Sequence, residues 1–421
     1  MHPKALLEAA SELVLRVLRL DHPADAVVSH FFREHRNLGP RERATLAETA
    51  YAVLRRKPQF EHLARAGSGA RERRLAILGF AAPRDFLKQA LNEAEKQWLN
   101  ACDAAPPAEL PPACRHNLPG WLVEPLRQQV GDEFDALAEC LLQAAPLDLR
   151  ANVLLQKREL TAQQLKAQGI HATSTPYSPW GLRVQGKPAL QKTEAFTRGA
   201  VEVQDEGSQL LALLLDARRG EMVADFCAGA GGKTLAIGAA MRSTGRLYAF
   251  DVSAHRLDKL KPRLARSGLS NVHPVAIAHE RDERIKRLAG KMDRVLVDAP
   301  CSGLGTLRRN PDMKWRQSPE GVQELVAKQQ AIVQSAARLL KPGGRLVYAT
   351  CSVLQGENEA VAEAFGAAHP DFEPCNVAEL LGALKVPQAA ALCSADGRFL
   401  RLWPHRHATD GFFAAVWQRR S

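Results

Sequence analysis

Apolar residues recur every three or four positions through the first part of the chain, which is the spacing of amphipathic helices. In ALLEAASELVLRVLRL one helical face carries apolar residues, and ADAVVSHFFREH repeats the pattern; the residues of that face are Leu6, Leu7, Ala10, Leu13, Val14, Val17 and Leu18. Pro40 suits the first turn of a third helix, LGPRERATLAETAYAVLRR. Residues 1–143 are therefore predicted to form an all-helical domain. The same spacing predicts its further helices at 71–81, 84–101, 119–130 and 132–144.

A Pro-rich patch at 103–119 interrupts the helical pattern and is predicted to be a linker or a long turn. Residues 144–200 combine the strand-like DLRANVLLQ and WGLRVQG with the helix-like LTAQQLKAQG, which indicates a small α+β adaptor. Residues 201–421 alternate apolar strands with helices, the pattern of a parallel, doubly wound α/β sheet. The strands of that sheet are predicted at 222–228, 245–252, 272–278, 293–300, 344–352 and 411–418, and a long helix at 318–341.

Composition and charge limit the class of protein. The chain has 421 residues, of which 46% are apolar, as in a globular protein of two or three domains. Its 57 Lys and Arg against 46 Asp and Glu give a net charge of +11. This favours a polyanionic partner, most simply nucleic acid, although a basic surface without such a partner has the same composition. Because no apolar run is long enough for a signal-peptide core or a membrane span, we expect a cytoplasmic protein.

The eight cysteines are scattered, and no two have the C-x-x-C spacing of a zinc or redox motif. We therefore expect neither a structural metal nor a disulfide framework. His405 and His407, in PHRH, are a loose candidate ligand pair, but a solvated loop is the more ordinary interpretation.

A glycine-rich turn, in VADFCAGAGGKT, follows the first predicted strand of the large sheet. Its GGKT suggests a triphosphate-binding loop, but Cys227 stands where that motif needs its first glycine. Gly229, Gly231 and Gly232 still allow close backbone approach to a ligand and leave the N–H groups of a helix start free. Asp251 ends the next strand, about twenty residues on, where an acid binds ribose hydroxyls or merely caps a helix. The turn and the acid together indicate an adenosine-containing cofactor, either a dinucleotide or S-adenosylmethionine. Because CAGAGGK is not the dinucleotide pattern, they favour S-adenosylmethionine.

Two cysteines come at the ends of two other predicted strands. Cys301 follows DRVLVDAP, which contains Asp298, and Cys351 follows GRLVYAT. The carboxyl ends of parallel strands meet at the ligand-binding edge of such a sheet. A thiolate that adds to carbon 6 of a pyrimidine makes carbon 5 able to accept a methyl group, after which a base removes the proton on carbon 5. A lone cysteine is commonly a small buried apolar residue, but two beside an acid indicate covalent methyl transfer.

Three motifs resemble those of the RsmB/NOP-type RNA (cytosine-5) methyltransferases: VADFCAGAGGKT, VLVDAPCSGLGTLRRNPDMKW and YATCSVLQGENE. With LPGWLVEPL, APLDLRANVL and VQDEGSQLLALLLDARRGE, the likeness extends over roughly residues 117–421. The helical N-terminal region is similar to the NusB-like RNA-binding domain of bacterial members, the RsmB-like 16S rRNA methyltransferases. The resemblance implies a Rossmann-like methyltransferase domain that uses S-adenosylmethionine to form 5-methylcytosine in RNA, in 16S rRNA or an early small-subunit precursor.

The resemblance also implies roles for individual residues. Cys351 would attack carbon 6, and Cys301 would assist proton removal or release of the methylated RNA. Asp251 would bind the ribose of the cofactor, and Asp298 would lie against its methionine end or the target cytosine. Lys233 would also lie near the active site. The remaining cofactor site would be lined by Cys227, Ala228, Gly229, Ala230, Gly231, Gly232 and Lys233.

The chain departs from the family pattern at two places. The family usually has CAAPGGK, whereas Gly229 and Ala230 stand here in place of Ala and Pro, which leaves the loop less constrained. The family also usually has an Asp after the third strand, near the adenine. Ala278 or His279 occupies that place here and Asp282 comes a few residues late, so the sequence does not identify the residue that contacts the adenine.

The basic segment LRRNPDMKWR follows the Pro-Cys motif. Arg308, Arg309, Lys314 and Arg316 are candidate phosphate contacts, while Trp315 either stacks on a base or packs in the core.

Three other functions remain open at this stage. A tRNA cytosine-5 methyltransferase would have the same active site. A DNA cytosine methyltransferase also uses a Pro-Cys motif, although the Thr-Cys-Ser motif argues against DNA. A catalytically idle RNA-binding ribosome-assembly factor would keep the fold without the reaction.

Overall fold

A computed structural model describes residues 1–106 and 110–421. It divides into two compact units, one comprising Met1–Ala144 and Thr306–Pro319 and the other Ala145–Gly305 and Glu320–Ser421. The division into three domains that the sequence suggests stays a prediction. The predicted linker at 103–119 includes residues 107–109, which lie outside the described residues. No helix in the described part of the chain is long and apolar enough to cross a membrane.

The N-terminal part of the first unit is helical, as the apolar spacing predicts. One face of each longer helix supplies a shared core that includes Leu7, Leu13, Phe31, Leu46 and Leu75. Its helices are α1 (Pro3–Val17), α2 (Ala24–Glu34), α3 (Pro40–Arg55), α4 (Lys57–Ala64), α5 (Arg71–Gly79), α6 (Arg84–Lys88), α7 (Glu93–Ala104), α8 (Pro112–Arg115), α9 (Gly120–Val130) and α10 (Phe134–Cys140).

The single helix predicted at 84–101 is wrong, because the structure has two helices there. Asn92 begins the second one with a capping box, in which its side chain accepts from the Glu95 backbone and the Glu95 side chain accepts from the Asn92 backbone. A capping box satisfies N–H groups at the start of a helix and therefore favours a new start at this position.

The second unit contains a small antiparallel sheet of order β2-β3-β1-β4. This sheet and helix α11 (Arg158–Ala167) account for the predicted α+β pattern. The two predicted strands are present but shorter, and two further strands of three residues each were not predicted. The strands are β1 (Leu147–Ala151), β2 (Ala172–Ser174), β3 (Gly181–Val184) and β4 (Val201–Val203).

The larger sheet of the second unit has the order β10-β12-β9-β8-β5-β6-β7, with β11 paired to β12. Strands β7, β6, β5, β8 and β9 run parallel, and β12 runs antiparallel to β9. All six strands predicted for this sheet are present, as expected for a doubly wound α/β fold. The strands are β5 (Met222–Asp225), β6 (Arg246–Asp251), β7 (Val272–Ala276), β8 (Met292–Asp298), β9 (Leu340–Thr350), β10 (Phe372–Pro374), β11 (Phe399–Leu402) and β12 (Phe412–Arg419).

Helices cover both faces of this sheet, so its strands are apolar on both sides. Along β9, Val347 and Ala349 belong to one core cluster, whereas Leu346 and Tyr348 belong to the other. This is the burial pattern of a parallel sheet. The remaining helices are α12 (Glu194–Thr197), α13 (Glu206–Leu214), α14 (Gly232–Ala240), α15 (Ala254–Ser267), α16 (Glu283–Lys286), α17 (Met313–Arg316), α18 (Pro319–Ala337), α19 (Glu359–Ala368), α20 (Val377–Ala383) and α21 (Pro404–His407).

The basic segment that contains α17 packs within the first unit, together with the N-terminal helices. Lys314 is buried, and its Nζ donates to the backbone carbonyls of Arg55 at 2.9 Å and Asn117 at 2.7 Å. Trp315 donates from Nε1 to Leu54 O at 2.7 Å and packs against the helical core.

Two of the predicted phosphate contacts are therefore wrong. Lys314 is used inside the fold, and Arg308 is buried and donates to Ala144 O at 3.0 Å. Of the two predictions for Trp315, packing in the core is confirmed.

Candidate active site

Four neighbouring strands of the large sheet place the predicted site residues at one edge. The order β9-β8-β5-β6 brings together the carboxyl ends of four parallel strands. The glycine-rich turn follows β5, Asp251 ends β6, Asp298 ends β8 and Cys351 follows β9 directly. Cys301 lies three residues beyond the end of β8, so the topology brings both cysteines to the same edge.

The two thiols face each other, with Cys301 Sγ at 3.4 Å from Cys351 Sγ. Both cysteines are free and partly exposed. The backbone holds this pair as well, because Gly305 N donates to Cys351 O at 2.8 Å. A Cβ added at Gly305 would lie 2.0 Å from Gly411 O, so only glycine fits this crossing of the Cys301 and Cys351 loops.

The surroundings of Cys301 favour the protonated thiol. Its pKa is raised well above the ordinary value, first by the hydrogen bond to Cys351 and then by desolvation. The charges of Cys351 and Glu357 act in the same direction. Either sulfur of the pair could be the donor by geometry, and the raised pKa of Cys301 favours Cys301.

A lysine–carboxylate pair lies at the same strand ends. Lys233 Nζ donates to Asp298 Oδ2 at 2.6 Å, and both side chains are largely buried. Burial acts to lower the Lys233 pKa, but the Asp298 carboxylate, aided by the Cys351 sulfur, raises it overall. An ammonium group is therefore held within electrostatic reach of the Cys351 sulfur.

The glycine-rich turn has the backbone that its sequence requires. Gly229 and Gly231 have φ of 57° and 82°, in the left-handed region, and α14 begins at Gly232. A Cβ on Gly231 would lie 2.2 Å from Leu260 Cδ1, whereas one on Gly229 would meet no atom of residues 1–106 or 110–421 within 4 Å. One side of the turn is therefore closed by α15, and the side at Gly229 is open to a ligand.

Asp251 joins the turn to the helix that follows β6. Its Oδ2 accepts from Gly229 N at 2.8 Å and its Oδ1 from Ser253 N at 2.7 Å. The carboxylate is thus fixed beside the open side of the turn, and the lone pairs it retains suit ribose hydroxyls.

Cys227, by contrast, packs with the apolar core of the sheet, and burial raises the pKa of its thiol well above the ordinary value. The residues at this edge therefore fit an adenosine-containing methyl donor that would be held by the backbone of the turn and by Asp251, and not by the Cys227 thiol.

Sequence reasoning missed two buried carboxylates near this edge. Asp225 ends β5 and accepts from Thr234 Oγ1 at 2.7 Å, and its Oδ1 has no hydrogen-bond partner among the described residues. Burial raises the pKa of Asp225 to about 7. The second is Glu357, which lies against both cysteine loops. Each belongs to a motif quoted above, VADFCAGAGGKT or YATCSVLQGENE, but nothing local marks either as part of the site.

Other residues that the sequence marks as possible ligand-binding groups have structural roles. Asp282 accepts from Ala278 N at 2.8 Å and Arg284 N at 2.9 Å, and so holds its own loop and the start of α16. His407 is buried, with Nδ1 accepting from Trp403 N at 2.9 Å and Nε2 at 3.1 Å from Ala391 O. In the described part of the chain, no group of three or more His, Cys, Asp or Glu side chains could hold a metal ion.

A parallel sheet with an antiparallel strand beside β9 and a glycine-rich turn after β5 defines a Rossmann-like methyltransferase domain. Residues 212–418 match the family model described as 16S rRNA methyltransferase RsmB/F, and residues 118–191 match its ferredoxin-like domain. The chain belongs to this RsmB/F family, as its motifs predict.

Two similar relatives carry the same kind of name. The chain is 37% identical to the Probable ribosomal RNA small subunit methyltransferase B of Synechocystis, over 72% of this chain and 66% of the relative. It is 32% identical to the protein of that name from Bacillus subtilis, over 82% of this chain and 76% of the relative.

Solved structures confirm the Rossmann-like fold. The crystal structure of PH0851 matches with a TM-score of 0.82 and 25% identity, over 100% of this chain and 99% of that one. A methyltransferase homologue from Pyrococcus horikoshii matches with a TM-score of 0.62 and 27% identity, over 74% of this chain and 100% of that one.

Proposed function

We propose that this protein transfers the methyl group of S-adenosylmethionine to carbon 5 of a cytosine in 16S rRNA. The observation that carries the proposal is the thiol pair, with 3.4 Å between Cys301 Sγ and Cys351 Sγ at the strand ends. The RsmB/F family model and the names of the relatives support rRNA as the substrate class. The net charge of +11 suits a polyanionic partner.

Each site residue has a part in this reaction. The Cys351 thiolate adds to carbon 6 of the cytosine, and carbon 5 becomes nucleophilic. Bound S-adenosylmethionine supplies an electrophilic methyl group on its sulfonium sulfur. The proton on carbon 5 then passes to a base, and the bond between Cys351 and carbon 6 breaks, with Cys301 assisting this release. Lys233 stabilises the thiolate, since its ammonium group is held nearby by Asp298.

The cofactor would be held by the turn from Cys227 to Lys233, chiefly through its backbone, and by Asp251. The open side at Gly229 and the fixed Asp251 carboxylate support this placement. Asp298 would lie between the cofactor and the target base, since it ends β8 and holds Lys233.

Bisulfite sequencing of rRNA and tRNA from cells lacking the protein tests both product and substrate. We expect one 5-methylcytosine of 16S rRNA to be lost, and to return with the wild-type protein but not with Cys351→Ala. Loss in tRNA alone would move the substrate to tRNA. No change in any RNA would overturn the proposal in favour of a non-enzymatic assembly factor.

A further inference from the structure

A buried carboxylate, that of Glu357, connects the loops that carry the two cysteines. Its Oε1 accepts from Ser302 N at 2.8 Å, and its Oε2 from Ser302 Oγ at 2.5 Å. Ser302 follows Cys301 directly. Oε2 also accepts from the hydroxyl of Ser352, which follows Cys351 directly. Glu357 is fully buried, so this one side chain joins the residues adjacent to both thiols.

A second side chain extends the same network. Gln329, a buried residue of α18, donates from Nε2 to Glu357 Oε1 at 3.0 Å and to Pro300 O at 3.0 Å. Pro300 precedes Cys301, so the Cys301 loop is tied to Glu357 on both sides of the cysteine. Tyr348, in β9, donates from its hydroxyl to Glu357 O at 2.6 Å, so the backbone of Glu357 is held as well as its side chain.

The donors to Glu357 are hydroxyl, amide and backbone N–H groups. Each carboxylate oxygen of Glu357 accepts from two of them. A buried negative charge next to the Cys301 loop disfavours a second negative charge on Cys301. The direction of the Cys301 pKa, which Glu357 helps to raise, agrees with this. Cys351 has the opposite kind of neighbour, the ammonium group of Lys233.

We propose that Glu357 is a positioning residue, which holds the two cysteine loops together and keeps Cys301 as a neutral thiol. The catalytic part of this inference rests on the proposed function. It limits Cys301 to assisting release and excludes it as the base. A neutral thiol does not accept the proton on carbon 5, which passes instead to another base, for which Asp298 is available on the same strand end. Cys301 donates its S–H hydrogen bond to the Cys351 sulfur as the bond from that sulfur to carbon 6 breaks.

The test measures the pH dependence of alkylation of each cysteine by iodoacetamide, with peptide mass mapping. Cys301 is followed in a Cys351→Ala protein and Cys351 in a Cys301→Ala protein. Adding Glu357→Gln should lower the pH midpoint of Cys301 alkylation by about one unit. At a pH below the midpoint, alkylation of Cys301 should therefore be about tenfold faster. The midpoint for Cys351 should stay in place. Glu363→Gln, which neutralises an exposed acid of α19, is the matched control and should move neither midpoint.

A purely structural role for Glu357 would give a different result. Loosened packing would speed alkylation of both cysteines without moving either midpoint, and that outcome would overturn the proposal. Glu357→Asp keeps the charge, so its Cys301 midpoint should remain that of the parent protein, and a shift as large as that of Glu357→Gln would also contradict the proposal.

The shorter carboxylate of Glu357→Asp cannot reach both serine hydroxyls, so methyl transfer should fall at least tenfold in kcat with KM for RNA unchanged. If Glu357→Gln does not fold, the separate effects of Glu357→Asp on kcat and KM test the proposal, and an unchanged kcat overturns it. The alkylation experiment needs neither RNA nor cofactor, so its result does not depend on whether the proposed function is correct.

Discussion

Among single residues, the different roles that we propose for the two chemically identical thiols would come from their neighbours. Cys351 has the Lys233 ammonium group nearby, whereas the residue next to Cys301, Ser302, donates to the buried Glu357 carboxylate, which helps to raise the Cys301 pKa. The motifs predict both cysteines and Asp298, because each stands at the end of an apolar strand. They do not predict Glu357 or Asp225, because the contacts that matter there are made with residues distant in sequence.

Asp225 should make the stability of the protein depend on pH. Its pKa is raised to about 7 in the folded state by burial, while Asp298 and Asp251 act in the same direction and Thr234 and Lys233 oppose them. In the unfolded chain the pKa is about 3.9. Between those values the folded state keeps a proton that the unfolded state has lost, so the contribution of Asp225 is present at acid pH and falls as pH rises to about 7.

Asp225→Asn removes this titration and can still accept from Thr234. Relative to wild type, its free energy of unfolding should therefore increase between pH 5 and pH 8, as measured by urea denaturation. Asp258→Asn, which alters an exposed acid of α15, is the control and should show no such change over that range. A difference between Asp225→Asn and wild type that is the same at both pH values would contradict this explanation.

At the scale of elements, the carboxyl ends of β5, β6, β8 and β9 assemble the site, and all four strands follow from their apolar runs. The sequence does not predict β10 and β11, because strands of three or four residues give too little pattern. The helix predicted at 84–101 fails for a different reason, since the capping box of Asn92 and Glu95 outweighs the continuous apolar spacing.

The turn between β5 and α14 gives an element-scale prediction. Gly231 and Gly229 both have positive φ, but only at Gly231 would a Cβ collide with Leu260. Gly229→Ala should lower the free energy of unfolding by about 1 kcal/mol, the cost of left-handed backbone. Gly231→Ala adds overpacking and should lower it by at least about 2 kcal/mol. If urea denaturation shows the same loss of unfolding free energy in both variants, Leu260 moves aside without a cost in free energy and the explanation is wrong.

At the scale of the whole molecule, sequence order and folding units differ. Residues 306–319 stand inside the methyltransferase part of the sequence but pack in the unit formed by the N-terminal helices. No local pattern predicts this, since Lys314 donates to the carbonyl of Arg55, which is 259 residues away in the sequence. The basic charge of the segment predicts contact with RNA. Its most buried cations, Arg308 and Lys314, instead donate to backbone carbonyls of the first unit.

We propose that Cys351 forms the covalent bond to RNA and that Cys301 is needed to release it. The direct measurement incubates Cys301→Ala with S-adenosylmethionine and rRNA isolated from cells lacking the protein, and then maps any denaturation-resistant protein–RNA adduct by mass spectrometry. We expect an adduct at Cys351 that accumulates in Cys301→Ala, turns over in wild type and is absent from the Cys301→Ala, Cys351→Ala double variant. No adduct in Cys301→Ala, or efficient methyl transfer by Cys351→Ala, would contradict the proposal.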